Sequence, residues 1–85
     1  MKIGVSGSLE SNDALITVSP SQTQQIVIKS VVYDFFHEQI EAVIKQTLSE
    51  LGKENLSVLC EDKGALDYTI RARLITAIKR MEEAQ

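Results

Sequence analysis

The sequence predicts a small α+β domain in the order strand, strand, helix, strand, helix, with a three-stranded sheet and two helices on one face. Short strand-like runs occupy residues 13–18, 25–29 and 55–60, the first with alternating faces. Two longer stretches repeat apolar residues at steps of three and four, the spacing of a single helix face. With 85 residues, the chain can build one core and no second one.

Residues 1–12 read as a flexible or weakly extended lead-in. From Asp13 onward, Ala14, Ile16 and Val18 fall on one face and Leu15 and Thr17 on the other. The polar stretch SPSQTQ holds the only proline and reads as a turn. QIVIK follows, and two strands joined by so short a loop are expected to pair antiparallel.

Ser30 is placed to cap the first helix, with Asp34 and Glu38 in its early turns. Its stripe is Val32, Phe36, Ile40, Val43, Ile44, Leu48 and Leu51, and Gly52 stands where such a helix ends. NLSVLC gives the third strand, expected to return parallel to one of the first two by a right-handed crossover. The second helix begins near Ala65, with Leu66, Ile70, Leu74, Ala77, Ile78 and Met81 on its apolar side. Asp67 and Arg71 stand at i and i+4 and are expected to pair, while residues 82–85 form a frayed tail.

Composition excludes several function classes. Lys plus Arg total 9 against 12 acids, so the chain lacks the basic surface that nucleic-acid binding requires. No apolar run is long enough to span a membrane. The single cysteine, Cys60, rules out an internal disulfide and, with no signal-like start, makes the cytoplasm the expected compartment.

Little in the chain looks catalytic. The lone histidine, His37, reads as a surface imidazole, and Cys60, among apolar neighbours, reads as a small buried hydrophobe. No Cys/His cluster has metal-ligand spacing, and Gly4 and Gly7 complete no nucleotide-binding pattern. The Phe35–Phe36 pair reads as core packing rather than an acyl pocket. A carrier, a binding module or an assembly subunit fits better than a free-standing enzyme.

Three serines, Ser6, Ser8 and Ser11, crowd one small polar loop. On physics alone each is a turn or capping residue. Two segments change that for one of them. GSLESND (residues 7–13) and DKGALDYTIRARL (residues 62–74) resemble, in order and spacing, the acyl carrier protein family of citrate lyase, its gamma subunit.

That resemblance implies a covalent group on the serine after the glutamate, here Ser11: 2'-(5''-phosphoribosyl)-3'-dephospho-CoA, joined through a phosphodiester. Its terminal thiol would carry acetyl and then citryl as thioesters. The implied partners are the alpha subunit, which exchanges acetyl for citryl, the magnesium-dependent beta subunit, which cleaves citryl to oxaloacetate, and the prosthetic-group transferase. No nucleic acid or membrane is expected to take part. The whole of 1–85 would then be one carrier domain that itself breaks no bond, and Ser6 and Ser8 would stay ordinary loop serines.

Other readings stay open. The delta subunit of malonate decarboxylase bears the same kind of cofactor but matches the DKGALDYTIRAR segment less well. An unmodified interaction module would need no group on Ser11. A phosphopantetheine carrier lacks its Asp-Ser-Leu element here. Lys63 is open as a contact to the cofactor's phosphates. Arg71 and Arg73, about 200° apart around a helix axis, cannot both face one way; one is expected to serve Asp67 and the other to be free for a partner.

Overall fold

A computed structural model describes residues 2–84. Four strands and two helices follow in the order β1 (Gly4–Gly7), β2 (Ala14–Pro20), β3 (Gln25–Ser30), α1 (Tyr33–Leu51), β4 (Leu56–Asp62) and α2 (Asp67–Glu83). The class is the expected α+β, but the sheet has four strands rather than three, in the order β1-β2-β4-β3.

The extra strand comes from the segment read as a lead-in. β1 pairs antiparallel with β2, Gly4 opposite Val18 and Gly7 opposite Leu15. It lies directly beneath α2: a Cβ on Gly4 would stand 1.8 Å from the Ala77 carbonyl oxygen. Helix and strand backbones approach so closely there that only glycine fits.

The second correction concerns pairing. β2 and β3 do not touch as a hairpin; β4 inserts between them, antiparallel to β2 and parallel to β3. The linking residues 21–24, SQTQ, lack the Asn-Gly type of pair that closes a tight hairpin. β4 buries Leu56, Val58, Cys60 and Asp62 on one face and so suits the centre, whereas β3 is half exposed and suits an edge. Pro20 ends β2 instead of sitting in the turn.

Both helices cover the face formed by Ala14, Ile16, Val18, Val58 and Cys60. α1 contributes Ile40, Ile44 and Leu48, and α2 contributes Ile70, Leu74, Ala77, Ile78 and Met81. Burial of this single cluster is the main force holding so small a domain together. α1 ends as expected at Gly52, in a left-handed conformation, with the Lys53 and Gly52 amides donating to Leu48 and Ser49 carbonyls. It starts later than Ser30. That serine ends β3, and its hydroxyl serves Asp62 and the Val32 amide instead of capping a helix.

Candidate functional site

The strand directions bring three connections to one end of the molecule. β3 and β4 run parallel and both feed helices, while β2 runs against β4. The β1–β2 loop (residues 8–13), the turn before α1 and the 63–66 connection before α2 therefore meet. Asp62 ties two of them. Its carboxylate, 2 % exposed, accepts from the Ser30 hydroxyl at 2.7 Å and from the Ala65 amide at 2.8 Å, and its carbonyl accepts from the Val31 amide at 3.2 Å.

The β1–β2 loop is fastened to the 63–66 connection by backbone alone. The Asn12 amide donates to the Lys63 carbonyl at 2.8 Å, and the Lys63 amide donates to the Asp13 carbonyl at 2.9 Å. Within the loop, the Asp13 amide donates to the Glu10 carbonyl at 3.2 Å, closing a turn around Ser11 and Asn12. Asn12 has φ of 66°, a left-handed conformation that asparagine tolerates better than most side chains.

The three serines are now distinct. Ser6 is buried at 3 % exposure. The Ser8 hydroxyl donates to Asp13 Oδ2 at 2.7 Å and accepts from the Glu10 amide. Ser11 is exposed in the turn, and among the described residues its hydroxyl has no hydrogen-bond partner.

Asp13 anchors the loop to α2. Arg73 Nε donates to its Oδ1 at 2.9 Å and Arg73 Nη2 to its Oδ2 at 3.0 Å, a bidentate pair. The Ala14 amide adds a third donor at 2.7 Å. The Arg73 guanidinium first, then the Ser8 hydroxyl and the Ala14 amide, hold the Asp13 carboxyl down at about 2. Gly7 makes room: its φ is 100°, and an added Cβ would lie 3.2 Å from the Arg73 stem and 1.8 Å from the Ala14 carbonyl oxygen.

The chain is similar to known proteins along nearly its whole length. An acyl carrier family model described as malonate decarboxylase delta subunit (MdcD) matches residues 1–81. A citrate lyase acyl carrier protein from Streptococcus mutans is 48% identical over 83 residues, 95% of this chain and 81% of its own length. Another from Treponema denticola is 42% identical over 79 residues, 93% of this chain and 91% of its own length. The chain belongs to the citrate lyase acyl carrier protein family. The fold extends further: a chain in the crystal structure of a Pseudomonas malonate decarboxylase hetero-tetramer in complex with malonate superposes with a TM-score of 0.79. That chain shares 18% identity, covering 94% of this chain and 84% of that one.

Seen within the citrate lyase carrier family, the two motif segments are neighbours in space. GSLESND forms the loop, and the Lys63 backbone and Arg73 side chain of the second segment hold it. Arg73, expected to be free for a partner, instead holds Asp13, a contact that sequence reasoning missed. The expected Asp67–Arg71 pair is absent. Arg71 Nη1 reaches Glu50 and Thr47 on α1, and Asp67 accepts both its bonds from Gln39 Nε2 at 2.9 and 3.0 Å. Helix-to-helix packing brings these partners closer than the i, i+4 neighbour. Among the described residues, the Lys63 ammonium makes no salt bridge.

The remaining candidates offer no catalytic assembly. His37 stacks on Tyr33 with ring centroids 4.5 Å apart, and its Nδ1 lies 3.0 Å from the Tyr33 carbonyl oxygen. Cys60 is fully buried; burial first, then the charges of Asp62 and Glu61, push its thiol up to about 12. Among the described residues no group of His, Cys, Asp or Glu is placed to hold a metal, and no helix is long and apolar enough to cross a membrane. Phe35 and Phe36 are not core: in the first turn of α1 they are 85 % and 47 % exposed.

Proposed function

We propose that this chain, acting as one carrier domain in the cytoplasm, is the acyl carrier subunit of a citrate lyase. Its load would be acetyl and citryl thioesters on a phosphoribosyl-dephospho-CoA arm joined to Ser11 Oγ through a phosphodiester. The observation that carries the reading is that Ser11, of the two serines in the family motif, offers an exposed hydroxyl with no competing hydrogen bond, whereas Ser8 bonds Asp13 and Ser6, outside the motif, is buried in β1.

The site fits the group. A transferase can reach a hydroxyl at the tip of a six-residue loop (residues 8–13), and the surrounding backbone is already fixed before anything is attached. The Asp13 charge, which alone would repel a phosphodiester two residues away, is offset by Arg73. Lys63, with no salt bridge among the described residues and its backbone paired to Asn12 and Asp13, adds a cation beside the loop. When bound, the arm supplies the thiol on which the acyl group travels, and its tether keeps that group at high effective concentration for the partner active sites. The chain's own residues anchor the arm and break no bond; the alpha and beta subunits would do the chemistry.

Co-production with the prosthetic-group transferase and the enzyme that makes its precursor, followed by intact mass and peptide mapping, tests the reading. A gain equal to phosphoribosyl-dephospho-CoA on Ser11 is expected, absent in Ser11→Ala and retained in Ser8→Ala. No gain, with the transferase shown active on a known carrier, would leave an unmodified interaction module. The malonate decarboxylase fold neighbour keeps a second carrier reading in view. It predicts the same mass on Ser11, but activity restored to a decarboxylase rather than to citrate lyase alpha and beta subunits.

A further inference from the structure

Between the first turns of α1 and α2 lies a cleft of about 540 Å³, within the range of small-ligand sites, roughly 300–1,000 Å³. Its walls include Phe36, Ile40, Leu66 and Tyr68, and Gln39 and Asp67 stand in its lining. Phe36, Leu66 and Tyr68 are 47 %, 59 % and 72 % exposed, so the core leaves them unused. One margin of the cleft is Gly64, where an added Cβ would stand 3.6 Å from Asn12 Oδ1. That margin of the cleft is therefore close to the side chain of Asn12, the residue next to Ser11.

We propose that this cleft seats the adenine of the carrier's own arm. The inference rests on attachment at Ser11. In the arm the adenosine follows the serine-linked phosphoribose directly, so the base is the part nearest to the cleft, while the diphosphate and pantetheine lie beyond it. A flat heterocycle stacks on aromatic side chains such as Phe36 and Tyr68. Gln39 donates its amide to Asp67 and keeps its own carbonyl oxygen free, so the pair offers acceptors for the exocyclic amine of adenine. The acyl end is a poorer occupant: citryl brings carboxylates toward Asp62 and Asp67, which also line the cleft. Seating the base would leave the diphosphate and pantetheine, with the terminal thiol, as the swinging part of the arm.

The test compares unloaded and loaded carrier by NMR, with loading at Ser11 verified by mass. On loading, the amides of Phe36, Gln39, Leu66 and Tyr68 should shift, and the adenine protons should move upfield of those in free dephospho-CoA and show contacts to the Phe36 and Tyr68 rings. A Phe36→Ala, Tyr68→Ala double variant, still folded by circular dichroism and still loaded, should return the adenine signals to their free values. A loaded wild-type carrier with adenine signals identical to the free cofactor overturns the proposal and leaves attachment intact. Shifts in the cleft that arise only when alpha or beta subunits are added also overturn it, assigning the cleft to docking. An unmodified Ser11 in the presence of active transferase removes the attachment reading, and this proposal with it.

Discussion

Arg73 grips Asp13 across sixty positions of sequence, two parallel hydrogen bonds of 2.9 and 3.0 Å joining α2 to the loop that holds Ser11. Fork-to-carboxylate geometry fixes direction as well as distance. Arg73→Gln is therefore expected to loosen the loop: hydrogen exchange at the Asn12 and Lys63 amides should speed up while amides of β4 stay protected. Arg71, exposed and paired only with Glu50 and Thr47, makes the contrast; Arg71→Ala should cost at most about 1 kcal/mol and leave the loop amides unchanged.

The same pair sets an acid response. The Asp13 carboxyl is depressed from 3.8 to about 2, so the folded state prefers it ionised. The stability it contributes is complete above pH 4 and is lost as pH falls toward 2. Stability measured across that window should fall more steeply for the wild type than for Asp13→Asn, and in Arg73→Gln the Asp13 carboxyl should titrate closer to its ordinary value by NMR. Equal slopes would mean that Asp13 is not held in the fold.

Asp62→Ala removes a buried acceptor that serves two part-buried donors, the Ser30 hydroxyl and the Ala65 amide. A fully buried donor left unsatisfied costs about 1–3 kcal/mol, and one that water can reach costs less. Urea unfolding should show a loss of about 1–3 kcal/mol with little change in m-value, and Asp62→Asn, which keeps one acceptor oxygen, should recover part of it.

Gly4→Ala drives a methyl group to 1.8 Å from the Ala77 carbonyl oxygen, and backbone on both sides leaves nothing flexible to yield. Overpacking of this kind costs about 1–3 kcal/mol, and in a domain this size each kcal/mol lowers Tm by roughly 4–8 °C. A Gly4→Ala variant that melts with the wild type would mean that α2 does not cross β1 there.

The two helix cores were legible in the sequence because helix burial follows local spacing. Of the expected stripes, Ile40, Ile44 and Leu48 in α1 and Ile70, Leu74, Ala77, Ile78 and Met81 in α2 are buried, whereas Leu51 and Leu66, at the helix ends, are exposed. β1 was not legible because its core-facing residues are Gly4 and Ser6, small side chains chosen for closeness to α2, and hydropathy patterns do not register them. The central place of β4 depends on which distant strands it meets, information that no local window holds. Phe36 matched the helical period yet is 47 % exposed in the first turn of α1, so periodicity did not give its depth. The Ser11 loop was visible as a motif, while its fastening by Arg73 needed the fold.

Cys60 should resist iodoacetamide at pH 8 in the folded protein, since its thiol is held up to about 12 inside the core, and react fully once urea exposes it. Reaction at the same rate with and without urea would contradict its burial.

That buried sulfur has a meaning for a chain proposed to present thioesters. An acyl thioester passes readily to any thiolate within reach, and a cysteine on the carrier's surface could strip the load from its own arm and strand it there. With the chain's one cysteine neutral and sealed between sheet and helices, thiol exchange within the carrier has no acceptor. Traffic is left to run solely between the arm and the enzymes it visits.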